Sequence, residues 1–180
     1  MVTKSIEVGA GFCLFLALLL LVLPLRWLFA AAFAAAVHEA CHLSAIRLLS
    51  GRSASIQLHA SGAKISLPYM SRGREAVCAM AGPLGSLGLL LLARWMPRVA
   101  LCAVAQSAVN LLPIYPLDGG RVLQSLFSIF CTPPVADRFC KYIAGGCRIL
   151  LCLLSFYATF TLQLGLLPVF LVMLLLMRRK

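Results

Sequence analysis

The sequence predicts an all-α polytopic membrane protein of about six transmembrane helices, with a short membrane-associated β-hairpin between the second and third. Three observations predict it. Of its 180 residues, 62% are hydrophobic and only 12% charged, with a mean hydropathy of +1.00. A soluble domain of this length cannot bury so much apolar surface, so lipid must solvate part of it. Several uncharged runs approach the roughly 20 residues that a helix needs to cross a bilayer. The basic residues also segregate between alternate loops, as they do in multi-pass proteins.

The first run, Val8–Leu25, holds 18 residues. Lys4 precedes it, as in a signal peptide. No small-residue cleavage site precedes Arg26, however, and the next apolar segment follows almost at once, so it reads as a retained span. The second run, Trp27–Ile46, holds 20 residues and is interrupted only by the polar cluster in VHEACHLSA, residues 37–45.

A polar insertion follows, from about Gly51 to Gly73. Within it SIQLHA and AKISLP alternate, placing Ile56 and Leu58 on one face and Ile65 and Leu67 on the same face across a Ser61-Gly62 turn. That pattern predicts a hairpin; an irregular cytoplasmic loop is the alternative.

The third run, Ala76–Ala93, holds 18 residues, and the fourth, Val99–Leu117, holds 19. The fourth ends in NLLPIYPLDGGR, residues 110–121. Pro113 and Pro116 lack backbone donors and clash with the preceding turn, while Gly119-Gly120 permits unusual torsions. The helix must break there, and unwound backbone at membrane depth must line protein or a water-filled cavity. Val122–Phe130 is expected to resume the helix until Thr132-Pro133-Pro134 stops it.

The last stretch, Tyr142–Met177, holds 36 residues, and Gln163, Gly165 and Pro168 mark a turn that would split it. Charge favours that split. With six spans one side collects Lys4, Arg47, Arg52, Lys64, Arg72, Arg74, Arg121, Arg138, Lys141, Arg148, Arg178, Arg179 and Lys180, which is 13 of the 16 basic residues. Only Arg26, Arg94 and Arg98 face the other way. Both termini are therefore expected in the cytoplasm.

The net charge of +11 follows from that topology and from attraction to anionic headgroups of the lipid bilayer; no nucleic acid partner is implied. The eight cysteines form no C-x-x-C pair or zinc-knuckle spacing and imply no disulfide framework. With no repeat or linker, residues 1–180 are expected to form a single membrane-embedded domain with its core at 27–121.

The costly groups sit in the second span. His38 and His42 lie four apart, so on a helix their imidazoles share a face, and Glu39 reaches its edge. H-E-x-x-H is the zincin arrangement, in which two imidazoles hold Zn²⁺ and the glutamate takes a proton from water. A pair of packing histidines beside a lone glutamate is the bland alternative. It leaves an unpaired carboxylate in hydrocarbon at a cost of roughly 2.5 kcal/mol or more.

A catalytic zinc takes three protein ligands and keeps one open position. Of the five acidic residues, Glu7 and Glu75 lie at span ends and Asp137 lies in a loop beside Arg138. Asp118 ends the broken fourth span. His38 lies 12 residues inward from Arg26, roughly 18 Å at helical rise, and Asp118 falls in the same inner half of the bilayer. The expected ligand set is His38, His42 and Asp118. His59, in the hairpin, reads as a loop histidine before it reads as a fourth ligand.

HEACH in one span, with NLLPIYPLDGG beginning at Asn110 in a later one and AGPLGS at 81–86 between, resembles the site-2 protease family of intramembrane zinc metalloproteases. The resemblance covers residues 38 to 121. It implies a zinc metalloendopeptidase that cleaves a membrane-associated or transmembrane protein, with one catalytic Zn²⁺ and Glu39 as the catalytic base. It further implies that Asn110 binds the substrate backbone; an interhelical hydrogen bond is the alternative role for that residue.

Six spans with cytoplasmic termini look like the compact sporulation branch. That likeness implies a sigma-factor precursor as substrate and inhibitory membrane partners as regulators. The chain departs from many members of that branch in having no nucleotide-sensing (CBS) domain, and from the envelope-stress branch in having no PDZ insert. An unwound substrate needs backbone partners, which the hairpin edge is expected to offer. The alternative outside this class is a non-proteolytic membrane zinc-binding protein or zinc transporter.

Overall fold

The computed structural model describes residues 7–8, 24–51, 55–59, 62–66, 70–161, 169 and 172–173. In chain order its elements are strand β1 (Glu7–Val8), helix α1 (Leu25–Ser50), strands β2 (Ser55–His59) and β3 (Gly62–Ser66), and helix α2 (Arg72–Gly88), which runs into a 3₁₀ turn at Leu89–Leu92. Helices α3 (Pro97–Asn110), α4 (Asp118–Phe130) and α5 (Pro133–Phe160) follow.

The body of the molecule is a helical membrane bundle with three candidate spans among the described residues: Leu25–Ser50, Arg72–Leu92 and Pro133–Phe160. The expected fold class, about six spans with a short membrane-associated hairpin between the second and third, is thereby corrected. The expected fourth span is helical only as α3, whose 14 residues reach about 21 Å against the roughly 30 Å of a bilayer core. The prolines at 113 and 116 end it early. The expected first span, apart from its two ends, and the expected turn at Gln163, Gly165 and Pro168 lie outside the described residues.

Nor do two strands stand alone. β2 pairs antiparallel with β3, with Ser55 opposite Ser66, and also pairs in parallel with Glu7–Val8 in a three-stranded sheet ordered β1-β2-β3. The chain's own N-terminal segment thus occupies one edge of the hairpin, that of β2.

The buried residues of α1 are Ala30, Ala34, His38, His42 and Ile46. A four-residue repeat puts all five on one stripe. Large apolar side chains point the other way, with Phe29, Phe33 and Leu48 exposed, which is the surface a span presents to lipid. The small residues let helices approach closely: Ala30 and Ala34 pack with Val99 and Ala103 of α3 and with Leu89. α1 ends at Gly51, whose φ of 63° lets its N–H bond the Arg47 carbonyl at 3.0 Å.

α2 is the central helix, packed on α1, α3 and α4. Its buried face is Ala76, Cys78, Ala79, Gly82, Pro83 and Ser86, again mostly small. Between α3 and α4 the chain crosses residues 111–117 without regular structure, and Ile114 and Leu117 pack on Ala144 of α5.

The helix resumes at Asp118 rather than at the expected Val122, so Gly119 and Gly120 lie in its first turn. Gly51 has the only positive φ among the glycines described. Unusual torsion is therefore not what residues 119 and 120 supply. A Cβ on Gly119 would collide with the Leu111 carbonyl, and one on Gly120 with the Ile114 carbonyl group. The pair lets α4 begin directly against the preceding loop.

Candidate metal centre

His38 and His42 lie one turn apart on the buried stripe of α1, and Asp118 opens α4, where the positive end of the helix favours a carboxylate. The fold brings the three together. Each offers one ligand atom, these atoms lie within 4.8 Å of one another, and all three residues are buried. His38 Nε2 is 3.0 Å from Asp118 Oδ2, His42 Nε2 is 3.2 Å from the same oxygen, and the two Nε2 atoms are 3.2 Å apart.

The outward nitrogens decide what can occupy that triangle. His42 Nδ1 lies 2.7 Å from the Cys78 carbonyl, which can only accept, so Nδ1 carries the proton and Nε2 a lone pair. Ser86 donates its single hydroxyl proton to the Gly82 carbonyl at 2.9 Å. Its oxygen is then left to accept from His38 Nδ1 at 2.8 Å, and His38 Nε2 carries a lone pair as well. Two imidazole nitrogens and a carboxylate oxygen therefore converge, an arrangement that a bound cation would satisfy.

The separations suit a metal. Ligand atoms of a tetrahedral zinc, bound at about 2.0–2.1 Å, lie about 3.3 Å from one another. A buried His/His/Asp cluster of this kind can coordinate a metal ion.

Glu39 follows His38 on α1. Its Oε2 is buried without a hydrogen-bond partner, alone in this among the described side-chain atoms. A carboxylate oxygen without a partner beside a cation site is placed to take a proton from water. Asn110, the last residue of α3, directs its amide Nδ2 at His38 Nε2 from 3.0 Å. It therefore sits at the centre and makes an interhelical hydrogen bond there.

The remaining acidic side chains described lie elsewhere. Glu75 pairs with Arg72 at 3.1 Å, and Asp137 accepts from Gln124 at 2.9 Å. The His59 side chain lies outside what is described.

Sequence reasoning missed the residues behind the ligands. Gly82, Ser86 and the Cys78 carbonyl all come from α2, and Arg121 approaches the other Asp118 oxygen at 4.0 Å. The Gly-x-x-x-Ser spacing within AGPLGS, which puts Gly82 and Ser86 on one face, was the available signal.

Gly82 acts by lacking a side chain, since a Cβ there would fall on the His42 imidazole. Gly82→Ala is expected to push that ring off the centre or part α1 from α2, lowering zinc affinity by about tenfold or more. Competition with a fluorescent chelator would measure the loss, and unchanged affinity would contradict the close packing.

No family model matches the chain, and no curated protein does. Among solved structures, the chain is similar to the site-2 protease from Methanocaldococcus jannaschii, with a TM-score of 0.68 at 18% identity over 94% of this chain and 86% of that one. Its fold is site-2-protease-like.

Proposed function

We propose that the protein is an intramembrane zinc metalloprotease, formed as a single membrane-embedded domain with its core at 27–121. The observation that carries this reading is the convergence of two imidazole nitrogens and an Asp118 oxygen beside a partnerless carboxylate oxygen. Ligands alone would suit a structural or transported ion. A general base held apart from them suits hydrolysis.

His38, His42 and Asp118 would hold the ion. Zinc bound there supplies Lewis acidity, polarising a peptide carbonyl and acidifying water. Glu39 accepts the proton of the attacking water and returns it to the leaving amine. His38 Nε2 has a single lone pair, so when that pair is directed at a metal the Asn110 amide is released. It can then hydrogen-bond the backbone of an unwound substrate.

The substrate class is a membrane-associated or transmembrane protein, as the fold and the span content support. The sequence resemblance extends this to a membrane-tethered sigma-factor precursor during sporulation, with inhibitory membrane proteins as regulators. The distribution of basic residues supports cytoplasmic termini in a bacterial cell membrane.

Elemental analysis of the purified protein is expected to find one zinc per chain. Chelation should abolish cleavage of a membrane-tethered substrate, and zinc should restore it. Full-rate cleavage by zinc-free protein would end this reading. Zinc flux in liposomes without any cleavage would favour a transporter.

A further inference from the structure

Resting on the zinc reading above, we propose that Ser86 is a positioning residue for the metal centre. By donating to the Gly82 carbonyl and accepting from His38 Nδ1–H, its hydroxyl holds His38 in the tautomer and orientation that aim Nε2 at the ion.

Ser86 is fully buried at 0% exposure on the central helix, one turn after Gly82. A serine within a helix commonly bonds the carbonyl four residues back, as Ser44 and Ser128 do here. Ser86 makes that bond at 2.9 Å and a second one at 2.8 Å to a ring nitrogen 48 residues away. The first bond gives direction to the second: with its proton committed to a carbonyl, the hydroxyl can only accept from the imidazole. A metal-binding histidine is oriented by what its other nitrogen bonds.

The consequence of removing the oxygen follows from the same geometry. His38 Nδ1–H would be buried without an acceptor, which is unfavourable. Moving the proton to Nε2 relieves that, because Asp118 Oδ2 waits 3.0 Å away. The ring would then donate to the carboxylate, and two of the three ligands would satisfy each other instead of a metal. Ser86 suppresses this internal competitor. His42 has a backbone acceptor, the Cys78 carbonyl, which no side-chain substitution removes. Of the two outward ring nitrogens, only that of His38 is therefore held by a side chain, Ser86.

Ser107 supplies the comparison. It is as buried, at 1% exposure, and packs on the same helix, but its hydroxyl reaches only the Pro83 carbonyl, at 3.3 Å. The test measures zinc affinity of the full chain in detergent by chelator competition, and the visible spectrum of the cobalt-substituted protein, for wild type, Ser86→Ala, Ser86→Thr and Ser107→Ala.

Ser86→Ala is expected to weaken zinc binding by about 10- to 100-fold and to alter the cobalt spectrum. Ser86→Thr, which keeps the hydroxyl, should recover at least part of the loss, and Ser107→Ala should match wild type. A Ser86→Ala protein that binds zinc within about twofold of wild type would overturn the proposal while leaving the protease reading intact, and so would an equal loss in Ser107→Ala. Wild type that binds no zinc would remove both.

Discussion

Glu39→Gln is expected to keep one zinc per chain and to lose cleavage of a membrane-tethered substrate by roughly 10²- to 10⁴-fold, the range that general acid–base catalysis contributes. Glutamine matches glutamate in shape but cannot take a proton at neutral pH. Glu39 Oε2 has no hydrogen-bond partner, so the exchange breaks no contact that holds α1 in place. None of the three converging ligand atoms belongs to Glu39. Metal and turnover should therefore separate in this variant. A Glu39→Gln protein that cleaves at the wild-type rate would show that another group moves the proton.

Asp118→Ala is expected to lose both metal and cleavage, with zinc affinity falling by more than about 100-fold, beyond the loss usual for a supporting residue. Asp118 brings the negative charge of the ligand set, and its Oδ2 faces both imidazoles at 3.0 and 3.2 Å. Without it two neutral rings remain. A catalytic site with two protein ligands falls short of the three that zinc enzymes use. His42→Ala should behave alike for the same reason. Measuring zinc beside cleavage separates both variants from Glu39→Gln, which is alike only in activity. Retained zinc and full proteolysis after Asp118→Ala would exclude it as third ligand.

How far the sequence could be read depended on the range of the interaction involved. The His38–His42 pair was legible because a helix converts four-residue spacing into a shared face. Asp118 could be reached through composition, since a membrane chain with five acidic residues offers few candidates at matching depth. The end of the fourth helix was legible from Pro113 and Pro116, although the shortness of α3 was not. Hydropathy registers apolar residues whether they are helical or, like Leu111, Leu112 and Ile114, part of an irregular segment packed on protein. For that reason the fourth apolar run read as a full span, although its helix is only 14 residues long.

The sequence by itself determined the lipid-solvated helical class, the helix that presents two imidazoles and a carboxylate, and the broken segment that carries a second carboxylate. These follow from local rules: periodicity, backbone chemistry, and the high cost of charge in hydrocarbon. Only the tertiary structure decided that α2 lies between these elements, with Gly82 yielding space to His42 and with Ser86 and the Cys78 carbonyl fixing which nitrogen of each ring faces inward. A tautomer is set by an acceptor within about 3 Å, and here those acceptors lie 36 and 48 residues away along the chain. No pattern of neighbouring residues encodes that distance; packing of the helices does.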